Sequence, residues 1–125
     1  MRSSIVFALA GAVMLLLLPV PSFAAADVVG SYTVEGGRAD GKDVYSGKAE
    51  ITKEGDIYTV TWKLGAAGDY VGTGILTGDV LSVAFTNPGR NFFGLVVYKI
   101  SGKKLEGKYA QHGGKRVTTE VLTRS

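Results

Sequence analysis

The sequence predicts an all-β protein: an eight-stranded antiparallel up-and-down barrel, a meander, preceded by a signal peptide. Three observations carry this expectation. Apolar residues recur with period two rather than at helical spacing beyond the N-terminal run. Short glycine-containing turns separate the alternating segments at regular intervals. Glycines alternate with bulky residues, as in "GDYVGTGILTGDVLSVAF" over 68–85.

The first 25 residues form their own unit. Arg2 gives a positive start, and Ile5 to Val20 is an apolar run broken only by glycine and a late proline. Ser22-Phe23-Ala24 and Ala24-Ala25-Ala26 offer small residues for cleavage near 24–26. This pattern predicts a secretory signal peptide over 1–25 and a single barrel domain over 26–125. The run is short for a membrane span, and no integral span is expected after cleavage. A periplasmic or secreted bacterial protein is the expected setting. Cysteine is absent, which removes disulfides, thiol catalysis and cysteine metal sites.

In chain order, strands are expected near 29–34, 44–53, 56–64, 70–77, 80–86, 93–101, 104–111 and 115–123. The clearest alternation is Ile57 to Leu64, with Tyr58, Val60, Trp62 and Leu64 on one face. Glu54-Gly55, Gly78-Asp79 and Gly102-Lys103 are the expected two-residue hairpin turns, since glycine supplies the positive φ such turns need. Counting outward sets Ile51 opposite Tyr58, Ala49 opposite Val60 and Gly47 opposite Trp62. The second hairpin sets Leu76 opposite Leu81, Gly74 opposite Val83 and Gly72 opposite Phe85. The third sets Ile100 opposite Leu105 and Tyr98 opposite Gly107. Each hairpin therefore faces a ring with a glycine. In a small barrel the glycine makes room and the ring covers bare backbone.

The longer connections, Glu35 to Asp43, Gly65 to Asp69, Asn87 to Phe92 and around His112-Gly113-Gly114, all fall at one end. That end is the expected mouth. All six tyrosines, at 32, 45, 58, 70, 98 and 109, fall on the inward face. Tyr45, Tyr70, Tyr109, Arg90 and Asn91 are the candidate mouth residues for a small ligand, with Trp62 and Tyr98 deeper. Core packing is the competing role for the rings. Buried phenols need partners. Glu120 is one candidate: a two-residue Gly113-Gly114 turn points it inward opposite Gly107, whereas one more loop residue points it outward.

Catalytic and metal chemistry find little footing. His112 is the sole histidine and sits in a glycine turn, with no triad motif and no metal-ligand spacing. The stretch Gly72 to Gly78 lacks the lysine and the strand-to-helix setting of a phosphate loop. A non-enzyme without cofactor or metal is expected.

Net charge is +3, unevenly spread. From Lys99 onward seven Lys or Arg stand against two Glu, a local +5, while 26–98 carries −3. Lys99, Lys103, Lys104, Lys108, Lys115 and Arg116 form a candidate basic surface on strands six to eight. Its partner would be an acidic macromolecule or a host or extracellular protein. Nucleic acid is not expected, because stacking rings on an outer face are missing. Val71, Ile75, Val80, Ala84, Leu95 and Val97 give strands four to six an apolar exterior, which predicts self-association.

The segments "SYTVEG", "YSGKAEITKEGDIYTVTW", "GTGIL", "GLVVYKI", "LEGKY" and "TEVLT" resemble small exported bacterial proteins often labelled fibronectin-binding. The resemblance covers nearly all of the mature chain and implies an adhesion-type role. The meander is also similar to the avidin and calycin group of barrels. Trp62 stands alone where an avidin-type biotin site is lined by several tryptophans, so that likeness implies architecture only. The function expected is non-catalytic binding. The alternative is a structural, envelope-associated oligomer with a filled core.

Overall fold

The computed structural model describes residues 27–125, and the export signal expected over 1–25 lies outside the described residues. Eight strands follow in order: β1 (Gly30–Gly37), β2 (Tyr45–Glu54), β3 (Ile57–Lys63), β4 (Asp69–Thr77), β5 (Val80–Asn87), β6 (Phe92–Ser101), β7 (Lys104–Gln111) and β8 (Thr118–Arg124). Each pairs antiparallel with its neighbour, and β8 returns to β1 to close the barrel. Closure leaves no unpaired sheet edge. One short 3-10 turn, Gly65–Ala67, lies between β3 and β4.

The three tight turns share one geometry. Gly55, Gly78 and Gly102 have φ of 60°, 60° and 59°, and the residue after each stays at negative φ. Positive φ at the first central position alone is the type II′ pattern, which glycine adopts without penalty. The second and third hairpins keep the expected registers, Gly72 with Phe85 and Tyr98 with Gly107.

The first hairpin departs from expectation. Its turn is Gly55-Asp56, so Ile51 faces Val60 and Ala49 faces Trp62. A Glu54-Gly55 turn would place glycine second and ask Glu54 to take the first central position, where a β-carbon is disfavoured at positive φ. The two-residue shift leaves every side chain on its expected face. Gly47 instead lies against the backbone of Lys63 and Leu64.

The interior is built from the alternating inward positions. Tyr32, Ile51, Val60, Leu81, Val83, Tyr98 and Leu122 are among the most deeply buried. At the tight-turn end, Tyr32 Oη donates to Val28 O (2.7 Å), and the Arg124 guanidinium lies 5.2 Å above the Tyr32 ring. Arg124 also donates to Val29 O (2.9 Å) and Asp27 O, which ties the leading segment across that end. The bottom of the barrel is thereby plugged.

β8 begins at Thr118 rather than near 115. Gln111 to Gly114 form a tight turn, with Gly114 N donating to Gln111 O (2.9 Å) and Gly113 at φ 83°. Lys115 to Val117 then cross to β8 as an extended connection. Tyr109 pairs with Thr118 and Gly107 with Glu120, which fixes Glu120 on the inward face.

The basic residues do not form one patch. Lys103 lies in the β6–β7 turn and Lys104 follows it, whereas Lys115 and Arg116 lie in the β7–β8 connection at the opposite end. Lys99 is paired with Asp79 at 2.5 Å, and Lys108 sits between these groups on β7. Strand direction separates what sequence proximity suggested was together. On the outer face, Ile75, Leu95 and Val97 are exposed as expected, but Val71 and Val80 are half-buried.

Candidate functional site

Glu120 is the organising residue at the mouth-side interior. Its register partners are Gly107 on β7 and Gly36 on β1, so glycine flanks it on both sides. Those glycines leave space that two rings enter. Tyr98 lies over Gly107, where a Cβ would sit 2.7 Å from its Cε1. Tyr45 lies over Gly36 so closely that a Cβ there would collide with the phenol. The same gaps that accommodate the rings bring their hydroxyls to the two carboxylate oxygens.

The resulting network is compact. Tyr45 Oη donates to Glu120 Oε1 at 2.7 Å. Tyr98 Oη and Trp62 Nε1 both donate to Oε2, the indole at 3.2 Å. Trp62 Nε1 is also 3.2 Å from Tyr98 Oη. Glu120 is 5% exposed, yet every donor reaching it is neutral. Burial, followed by the Glu120 charge, pushes the Tyr98 phenol well above its ordinary range. The same two causes, in the same order, raise Tyr45. Both phenols are therefore held protonated, as donors to the carboxylate.

Above this floor is a cavity of about 370 Å³ that opens at the long-loop end. Tyr45, Trp62, Tyr70, Phe85, Tyr109 and Glu120 contribute to its lining. Phe85 is the hub of the aromatic wall. Its centroid lies 6.0 Å from Trp62, 6.0 Å from Tyr70, 6.2 Å from Phe92 and 6.3 Å from Tyr109. The contacts with Trp62, Tyr70 and Tyr109 are edge-to-face and that with Phe92 is tilted; edge-to-face pairs add about 0.5–1.5 kcal/mol each beyond area burial. Phe85 pairs with Gly72 on one side and Gly94 on the other. Its ring leans on Gly94, where a Cβ would meet Cζ at 2.5 Å, while Trp62 reaches toward Gly72. The expected Gly72–Phe85 pairing is present, but the ring takes the other glycine. Tyr70 Oη donates to Ala67 O (3.0 Å), which fastens the 3-10 turn to the mouth.

Of the candidate ligand residues, Tyr45, Trp62, Tyr70, Tyr109 and Glu120 line the cavity, and Tyr98 braces its floor. Arg90 and Asn91 do not line it. They are exposed in the β5–β6 connection, and strand alternation turns Phe92 inward instead. Nearness to the mouth in sequence placed them wrongly. Sequence reasoning had Phe85 inward but not as part of a site. Its position between two glycines was the available signal. Asp43, Leu64, Ala67, Val96 and Gln111 also contribute to the lining. Leu64 shares the inward face expected of Tyr58, Val60 and Trp62, and Val96 lies mid-strand on β6, whereas Asp43, Ala67 and Gln111 lie in loops or at a strand end with no distinguishing pattern.

His112 stacks on Phe93 outside the barrel, with centroids 4.5 Å apart and planes 12° from parallel. Among the described residues no group of three or more His, Cys, Asp or Glu is placed to hold a metal ion. Among the described residues no helix is long and apolar enough to cross a membrane.

The architecture and cavity define a small closed β-barrel with a hollow mouth-side interior. No family model matches the chain, and no curated protein matches it. Among solved structures, it is similar to a protein described as "REP1-NXSQ fatty acid transporter". The TM-score is 0.55 at 12% identity, covering 81% of this chain and 98% of that one. The similarity is one of fold.

Proposed function

We propose that this chain is an exported, non-catalytic binding barrel that takes one small, largely apolar molecule through the long-loop mouth. The observation that carries this reading is the cavity itself. Above a floor of buried side chains, about 370 Å³ stays open among Trp62, Tyr70, Phe85 and Tyr109. Protein interiors tolerate few voids larger than a water molecule, so a sizeable open space walled by rings suits a ligand. The fold neighbour's printed description, a fatty acid transporter, agrees with a small apolar ligand. Export is supported by the apolar N-terminal run. A binding rather than catalytic role is supported by the surroundings of Glu120, whose only hydrogen-bonding neighbours among the described residues are phenols and an indole.

Trp62, the single tryptophan, lines the cavity and reports on it directly. Titration of the mature protein with octanol should give a saturable change in Trp62 emission at one ligand per barrel. Emission that stays unchanged, or drifts without saturating, overturns the reading.

A second reading concerns the outer face. Ile75 on β4 and Leu95 and Phe93 on β6, the strands either side of β5, are 64%, 51% and 54% exposed. Apolar surface of this kind favours self-association, compatible with an envelope-associated oligomer. An adhesion role through the basic residues draws on the sequence resemblance, and their division between the two barrel ends gives it less support.

A further inference from the structure

Resting on the binding reading above, we infer that the cavity selects a ligand with a protonated amine, seated head-first against Glu120, over one with a carboxylate. The floor is a buried carboxylate that no cation among the described residues neutralises. Two carboxylates, Glu120 and Asp43, contribute to the lining, and no Lys, Arg or His does. The nearby Arg38 is already committed, at 2.7 Å to Asp40 and 3.8 Å to Asp43. A chain with net charge +3 thus presents an acidic interior.

The hydrogen-bond count points the same way. A carboxylate has about four acceptor positions. Glu120 Oε2 receives two donors, Tyr98 and Trp62, and Oε1 receives only Tyr45. One acceptor position on Oε1 is left over. An ammonium group has three N–H donors and the complementary charge. The walls suit it as well, since the faces of tyrosine, phenylalanine and tryptophan attract cations. A ligand carboxylate entering the same way would meet the like charge of Glu120, whose three donors are already used. Entering tail-first, it would press its apolar end against the Glu120 carboxylate and leave the spare acceptor position on Oε1 unfilled.

The test uses three probes with one chain and different heads: octylamine, octanol and octanoate. Calorimetric titration at neutral pH and low salt should rank octylamine first, at least about tenfold tighter than octanoate. Overall positive charge opposes that order, so it reports the cavity rather than the bulk field. Glu120→Gln should erase the preference, bringing octylamine and octanol within about twofold. Asp43→Asn should weaken it less than Glu120→Gln does, because that side chain is at the rim. Octanol binding with octanoate equal to or tighter than octylamine overturns the inference and leaves the binding reading standing. Binding of none of the three overturns the binding reading itself. Loss of preference in Asp43→Asn but not Glu120→Gln overturns the assignment of the head to the floor. Should Glu120→Gln fail to fold, the wild-type ranking and the Asp43→Asn result decide.

Discussion

Glu120 and Tyr98 meet across Gly107: the glycine is the cross-strand partner of both, and its missing side chain lets the phenol reach the carboxylate. An added Cβ on Gly107 would lie 2.7 Å from the ring and 3.1 Å from the Glu120 carbonyl. Neither the buried ring nor the backbone can retreat easily. Gly107→Ala is therefore expected to destabilise the barrel by about 1–3 kcal/mol in urea unfolding. Gly89→Ala is the control. Its Cβ would meet only Asn87 Oδ1, at 3.6 Å, and a change within about 1 kcal/mol is expected. Equal stability of Gly107→Ala and wild type would mean the ring does not sit there.

Tyr98→Phe removes one of three donors to a buried carboxylate while keeping the ring. A cost of about 1–3 kcal/mol is expected, because a buried charged acceptor loses one of its three donors. In a double-mutant cycle with Glu120→Gln the two losses should be non-additive by about 0.5–3 kcal/mol. Additivity would show that the two groups do not interact.

Alkaline pH gives the network a signature. An unfolded tyrosine releases its proton near pH 10, whereas burial and the Glu120 charge hold the folded Tyr98 phenol higher. Between those values unfolding releases a proton, so the contribution of Tyr98 to stability is level below about pH 10 and falls above it. The slope is about 1.4 kcal/mol per pH unit for this group. Wild type should lose stability above pH 10 more steeply than Tyr98→Phe. Identical slopes would place Tyr98 in an ordinary solvated setting.

The outer face yields a separate expectation. Ile75 and Val97 both stand beside Ser82, one on each neighbouring strand. If this face joins copies, light scattering should show an assembly that Ile75→Asp or Val97→Asp reduces to monomer. A monomeric wild type at high concentration removes the oligomer reading and leaves the cavity reading untouched.

The barrel was legible because period-two alternation and glycine turns are local signals. Gly78 and Gly102 each anchored a register that long-range pairing preserved. The first hairpin was misplaced by two residues, a shift that preserves alternation and so leaves no trace in the apolar pattern. The orientation of Glu120 stayed open for the opposite reason. It depends on the parity of the 112–117 connection, which glycine content does not determine. The hollow interior was not legible either. Whether rings fill a barrel depends on how Phe85 and Trp62 choose between flanking glycines, and that choice is made by strands far apart in sequence. The error at Arg90 and Asn91 came from assigning loop residues by proximity, when alternation on β6 already favoured Phe92.

The most direct measurement follows the single indole N–H of Trp62, which donates to Glu120 at the cavity floor. In a 1H–15N spectrum it is one resolved signal. Titration with octylamine should move that signal saturably, together with amides of the β3–β4 connection and of β5. An indole signal that stays fixed while amides on the outer strand faces shift would contradict a ligand-holding interior.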